Sequence, residues 1–99
     1  MTSVIDVSPS TKSISGGSMS AGLNLYLGII DPQVIELQKF LNKNGFTVAS
    51  SGPGSLGNET SMFGRATKSA LIRFQKANNI QPAIGFYGPQ TRAKVDSLK

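Results

Sequence analysis

A six-residue unit occurs twice in this chain, 24 residues apart: Phe63-Gly64-Arg65-Ala66-Thr67-Lys68 and Tyr87-Gly88-Pro89-Gln90-Thr91-Arg92. Each copy reads aromatic, Gly, two variable positions, Thr, cation. Proline lacks an N–H and suits the first position of a helix. Pro89 therefore marks where a helix opens, makes Gly88 its cap, and puts Thr91 where its hydroxyl reaches back toward the cap backbone. The first copy is expected to work the same way around Gly64 and Thr67. The aromatic before each cap is placed to staple onto its own helix. Two helices opened by one device within 99 residues confine the chain to a small, mainly helical architecture.

A further helix is predicted to start at Asp31-Pro32, with Asp31 capping the free amides and Pro32 at the first helical position. Val34, Leu37 and Leu41 share one face, and Asn44-Gly45 supplies a left-handed stop. The second helix is predicted over Arg65–Ala77, with Ala70, Leu71, Phe74 and Ala77 as its apolar stripe. The third runs over Pro89–Leu98 with Val95 and Leu98 inward. Ile80 and Ile84, in the connection before it, are expected to plug the core. The expected core is then Leu37, Leu41, Phe46, Leu71, Phe74, Ile80, Val95 and Leu98. Each such side chain contributes ~1.5 to 3 kcal/mol on burial, a marginal but sufficient total once conformational entropy is subtracted. Between the first two helices, Thr47 to Met62 reads TVASSGPGSLGNETSM, a long loop or loose hairpin of a length that is often functional. The Asn58-Glu59-Thr60 sequon inside it is too short a pattern to carry weight.

The chain has no Cys and no His, with ten Lys/Arg against five Asp/Glu and a net charge of +5. A disulfide framework is thereby excluded, and so are most metal hydrolase sites and histidine-based acid–base chemistry. Glu36 and Glu59 are the only glutamates, and nothing in their spacing pairs them for glycoside chemistry. No enzyme activity, cofactor or metal is expected. A basic domain favours polyanions, acidic surfaces or carboxylate-bearing ligands. The longest apolar run, Leu23 to Ile30, is interrupted by Asn24 and falls far short of the ~20 residues that a membrane span needs. Residues 1–22 are rich in Ser, Thr and Gly and read as an extended arm or linker, with Val4-Ile5-Asp6-Val7 able to pair as a strand. Residues 23–99 form the folded domain.

Three groups of residues follow one another in order: Val34-x-x-Leu37-Gln38-x-x-Leu41-x-x-x-Gly45-Phe46; Phe63-Gly64-x-x-Thr67-x-x-Ala70-Leu71-x-x-Phe74-Gln75; and Ile80 with Gly85-x-Tyr87-Gly88-Pro89-x-Thr91. Together they resemble the peptidoglycan-binding domain found beside bacterial cell-wall hydrolases, over about Leu25 to Leu98. The resemblance implies a compact three-helix fold that is non-catalytic and anchors a protein to murein, in the cell envelope or outside the cell. The loop from Ser50 to Met62 is longer than the usual pattern, and no catalytic domain is attached within this chain.

Gln38 and Gln75 follow core residues on two helices, and their amides are expected to bond to backbone in the packed loops. Arg65, Lys68 and Arg92 lie in first helical turns, where the dipole already favours anions and a cation is slightly unfavourable. That placement suits a carboxylate or phosphate ligand, and it equally suits solvated surface cations. The expected site is a shallow groove at the starts of the second and third helices. Phe63 and Tyr87 would be its apolar contacts, with Arg65, Lys68 and Arg92 as its cations toward a peptidoglycan stem peptide or glycan. The alternative is a self-assembling structural subunit of an extracellular filament or surface layer, a homo-oligomer in which residues 1–22 reach a neighbouring copy by strand addition. Nucleic acid is not an expected partner, since the chain has no basic stripe interleaved with aromatics.

Overall fold

The computed structural model describes residues 23–99. The arm expected over 1–22, with its Val4 to Val7 segment, lies outside the described residues. Three helices follow in order: α1 (Pro32–Lys43), α2 (Arg65–Ala77) and α3 (Pro89–Leu98). Asp31 accepts a hydrogen bond from the Gln33 N–H at 2.8 Å and so caps α1. At the other end the Asn44 amide donates to the Phe40 carbonyl at 2.7 Å, and Gly45 takes the left-handed conformation at φ +87° that a side chain would resist. Gly64 and Gly88 cap α2 and α3 in extended conformation, as the repeated unit implies.

A strap over residues 25–31, bent by a turn at Leu27-Gly28, joins the two repeated units. Leu25 and Tyr87 exchange both backbone hydrogen bonds, at 3.0 and 2.8 Å. Gly28 donates to the Phe63 carbonyl at 2.8 Å, Phe63 donates to Ile29 at 3.0 Å, and Asp31 donates to Ser61 at 2.9 Å. The aromatic of each unit is thus held from outside by backbone pairing. Its ring is thereby turned inward.

The core gathers Leu25, Val34, Leu37, Phe40, Leu41, Val48, Phe63, Ala70, Leu71, Phe74, Ile80, Tyr87 and Val95. Phe74 sits at its centre, with Phe40 and Phe46 meeting it edge-on at 5.4 and 5.5 Å between ring centroids. Three expected core residues are placed differently. Phe46 is half-buried at the edge of the cluster. Ile84 and Leu98 are 57% and 48% exposed. The buried residues of α3 are Thr91 and Val95; Leu98 falls on the same face by helical spacing but is the last residue of the helix and stays largely in solvent. Ile84 follows Ile80 in the α2–α3 connection, but only Ile80 turns into the core.

The expected role of the two threonines also changes. Neither helix start has a side-chain cap hydrogen bond. Thr67 and Thr91 are instead buried, and each hydroxyl accepts from a glutamine of the preceding helix: Gln38 Nε2 to Thr67 Oγ1 at 2.8 Å, and Gln75 Nε2 to Thr91 Oγ1 at 3.0 Å. The rest of each amide reads the backbone just before the next aromatic. Gln38 donates to the Met62 carbonyl at 3.1 Å and accepts from the Thr60 N–H at 2.6 Å. Gln75 donates to the Phe86 carbonyl at 2.9 Å and accepts from the Gly85 N–H at 2.9 Å. The expectation that these amides satisfy loop backbone therefore holds, and the repeated unit is half of a lock whose other half lies one helix earlier.

Two stability outcomes follow from this packing. Thr67→Val and Thr91→Val each leave a buried amide donor short of its partner and should destabilise the fold by ~1 to 3 kcal/mol, while Thr67→Ser, which keeps the hydroxyl, should stay close to the parent in urea melts. Phe74→Ala empties the centre of the core and should cost ~3 to 5 kcal/mol, read as a large fall in the thermal midpoint.

Candidate functional site

The five residues expected to contact ligand separate into three groups. Phe63 is 0% exposed and Tyr87 7% exposed, so neither ring offers a face at the helix starts, and this corrects the expectation that they form apolar contacts there. The cause is the strap, whose backbone pairing fixes both aromatics with their side chains toward the core. Arg92 is half-buried, and its guanidinium donates to the Leu23 carbonyl at 2.8 Å, which ties the entry of the domain to α3. Arg65 is exposed at the first position of α2. Lys68 lays its stem over the α2–α3 connection: a Cβ built on Gly85 would come within 2.5 Å of Lys68 Cγ.

What the helix starts do present is a different pair of aromatics. Phe86 is 41% exposed and Tyr26 49% exposed; their rings stack at 6.2 Å between centroids and 12° between planes. Phe86 lies flat against the cap of α3, where a Cβ on Gly88 would meet its ring at 2.7 Å. Beside it a shallow pocket of about 150 Å³ is lined by Pro82, Ile84, Phe86, Pro89 and Gln90 among others. Alternation along extended chain explains the arrangement: successive side chains point to opposite faces, so burying Tyr87 exposes Phe86, and burying Leu25 exposes Tyr26. The same rule turns Met62 and Ile30, which bridge across the strap, outward next to Phe63. The adjacent aromatics in Gly85-Phe86-Tyr87-Gly88 carried this signal, because a single staple position can bury only one of them.

The long loop forms a second concavity, of about 440 Å³, lined mostly by small polar residues including Asn42, Ser50, Ser55 and Asn58. Internal bonds hold its shape: Gly54 donates to Asn58 and Asn58 to Ser55, at 2.8 and 2.7 Å. Asn42 anchors it to α1, donating to the Gly54 carbonyl and to the Glu59 carboxylate, both at 3.0 Å, and accepting from the Val48 N–H at 2.8 Å. The Asn42 amide, followed by backbone N–H groups, holds the Glu59 carboxyl below its usual range. Glu59 is therefore a fastening of the loop. Among the described residues no cluster of three or more His, Cys, Asp or Glu could hold a metal ion, and no helix is long and apolar enough to cross a membrane.

The sequence model of the peptidoglycan binding domain family matches residues 30–95, about two thirds of the chain. The chain belongs to the peptidoglycan binding domain family. The matched stretch takes in all of α1 and α2, both glutamine locks and most of α3, so the fold resemblance seen in the motifs holds. Comparison with curated proteins and with solved structures finds no match. The surface of this domain joins a stacked aromatic pair to a shallow apolar pocket, with Lys68 packed over Gly85 beside them.

Tyr87 gives a test of the inward placement. Burial, with a contribution from the Asp96 charge, pushes its hydroxyl up to about 12. The unfolded chain loses this proton near pH 10 while the native state keeps it, so stability should fall as pH rises from about 10 toward 12, by at most ~2 to 3 kcal/mol from this group. Tyr87→Phe should remove that part of the alkaline loss in urea melts run across the range.

Proposed function

We propose that this peptidoglycan binding domain is a non-catalytic module that holds a protein on murein, and that it does so through the face formed by Tyr26, Phe86 and the pocket beside Ile84. The family match over residues 30–95 carries the reading. The choice of surface rests on the exposed aromatic stack: a flat apolar platform with a few polar groups at its edge suits the face of a sugar ring. Lys68 at that edge, with Arg65 at the first position of α2, supplies positive charge for the carboxylates of a stem peptide or glycan. The setting is the cell envelope or the outside of the cell. Arg92 serves the site indirectly, by fixing the chain that leads into Tyr26.

Sedimentation with purified murein sacculi tests this directly. The parent should leave solution with the sacculi at low salt and less completely as salt rises, because the exposed cations are screened over ~8 to 10 Å. Tyr26→Ala with Phe86→Ala should abolish most of the retention, while Arg65→Gln should weaken it at low salt only and change stability by less than about 0.5 kcal/mol. Full retention by the aromatic double variant, folded by circular dichroism, would place the contact elsewhere.

A further inference from the structure

The acidic side chains of this basic protein are divided by task. Asp31 caps α1 and Glu59 fastens the long loop. The two other carboxylates among the described residues, Glu36 on α1 and Asp96 on α3, line one pocket of about 180 Å³ between those helices. Each is paired only with a lysine of its own helix three residues along, Glu36 with Lys39 at 3.8 Å and Asp96 with Lys99 at 3.9 Å, and all four side chains are more than half exposed. Pairs of that kind hold little and exchange easily. Asp96 also sits in the last turn of α3, where the negative end of the helix disfavours an acid.

A second observation points into the same pocket. Tyr87 lines it, is 7% exposed, and donates no side-chain hydrogen bond among the described residues. A buried tyrosine with no hydroxyl partner among the described residues is costly, so the floor of the pocket calls for an oxygen acceptor while its rim calls for a cation. Leu37 and Val95 supply apolar wall. At ~30 Å³ per water the space equals about six waters, or a short aliphatic chain with its polar end.

We propose that this pocket binds an aliphatic primary ammonium carried beside a carbonyl or hydroxyl oxygen. The methylenes pack on Leu37 and Val95, the ammonium sits between Glu36 and Asp96 in place of Lys99, and the oxygen accepts from Tyr87. The inference rests on the wall-binding reading for the source of the ammonium, a diamino acid of the stem peptide, and makes the pocket a peptide subsite apart from the aromatic face.

The test is a nuclear magnetic resonance titration of the full chain with ring-labelled tyrosine. The probe is Nα-acetyl-lysine amide, and the control is Nα-acetyl-norleucine amide, which keeps the four-carbon stem and lacks the ammonium. The lysine amide should shift the Tyr87 ring signals saturably and the norleucine amide should not. Glu36→Gln with Asp96→Asn should lower the affinity at least about tenfold, as loss of charge-assisted bonds does, with an unchanged melting curve. An equal response to the norleucine amide, or an unchanged affinity in the double variant, overturns the proposal. So does a silent Tyr87, even where sacculi still retain the protein; a clear Tyr87 response without sacculus retention overturns the wall reading alone.

Discussion

Two buried glutamine amides organise this domain. Gln38 and Gln75 each leave one helix and bond, with donor and acceptor both used, to backbone three residues or fewer before the next aromatic, and then to the threonine hydroxyl inside the next helix. A primary amide is one of the few side chains that can satisfy an N–H and a C=O of passing chain at once. Each lock therefore closes a connection that has little apolar surface of its own. Because a buried amide left half-bonded is costly, the lock holds only when helix, loop and next helix are all in place. That couples three short helices that individually could not persist in water.

The strap extends this logic to the surface. It pairs with the backbone of Phe63 and Tyr87, the residues that follow directly on the two loop carbonyls the glutamines bind. With both sides of these segments bonded, their side-chain alternation is fixed, and burying one aromatic exposes its neighbour. The aromatic face at Tyr26 and Phe86 is thus a consequence of the same hydrogen bonds that close the core. A face held in this way needs no further ordering to keep its shape.

Charge is distributed by the same economy. Arg92 and Arg73 donate to backbone carbonyls of Leu23 and Thr47, so two of the cations that make the chain basic fasten loops, as Asp31 and Glu59 fasten a helix start and a turn. Two other groups of charge stand apart from this fastening: the cations Lys68 and Arg65 about the start of α2, and the carboxylates Glu36 and Asp96 between α1 and α3, each paired with a lysine three residues along.

The three helices were legible in the sequence because their signals are local: Asp31-Pro32, the two Gly caps and Asn44-Gly45 act within a turn of themselves, and the apolar stripes on α1 and α2 repeat with the helical period. The family resemblance was legible for the same reason, since its motifs are those caps and stripes in order. The destinations of individual side chains were not. The sequence read Phe63 and Tyr87 as apolar surface at the helix starts and Thr67 and Thr91 as caps; the fold buries both rings and locks both hydroxyls, because the strap that turns the aromatics inward and the glutamines that claim the hydroxyls lie 16 to 62 residues away. Sequence by itself determined where the chain becomes helical, since that is settled by hydrogen bonds within a few residues. Tertiary structure alone decided which face of each extended segment meets water, because that depends on which distant backbone pairs with it.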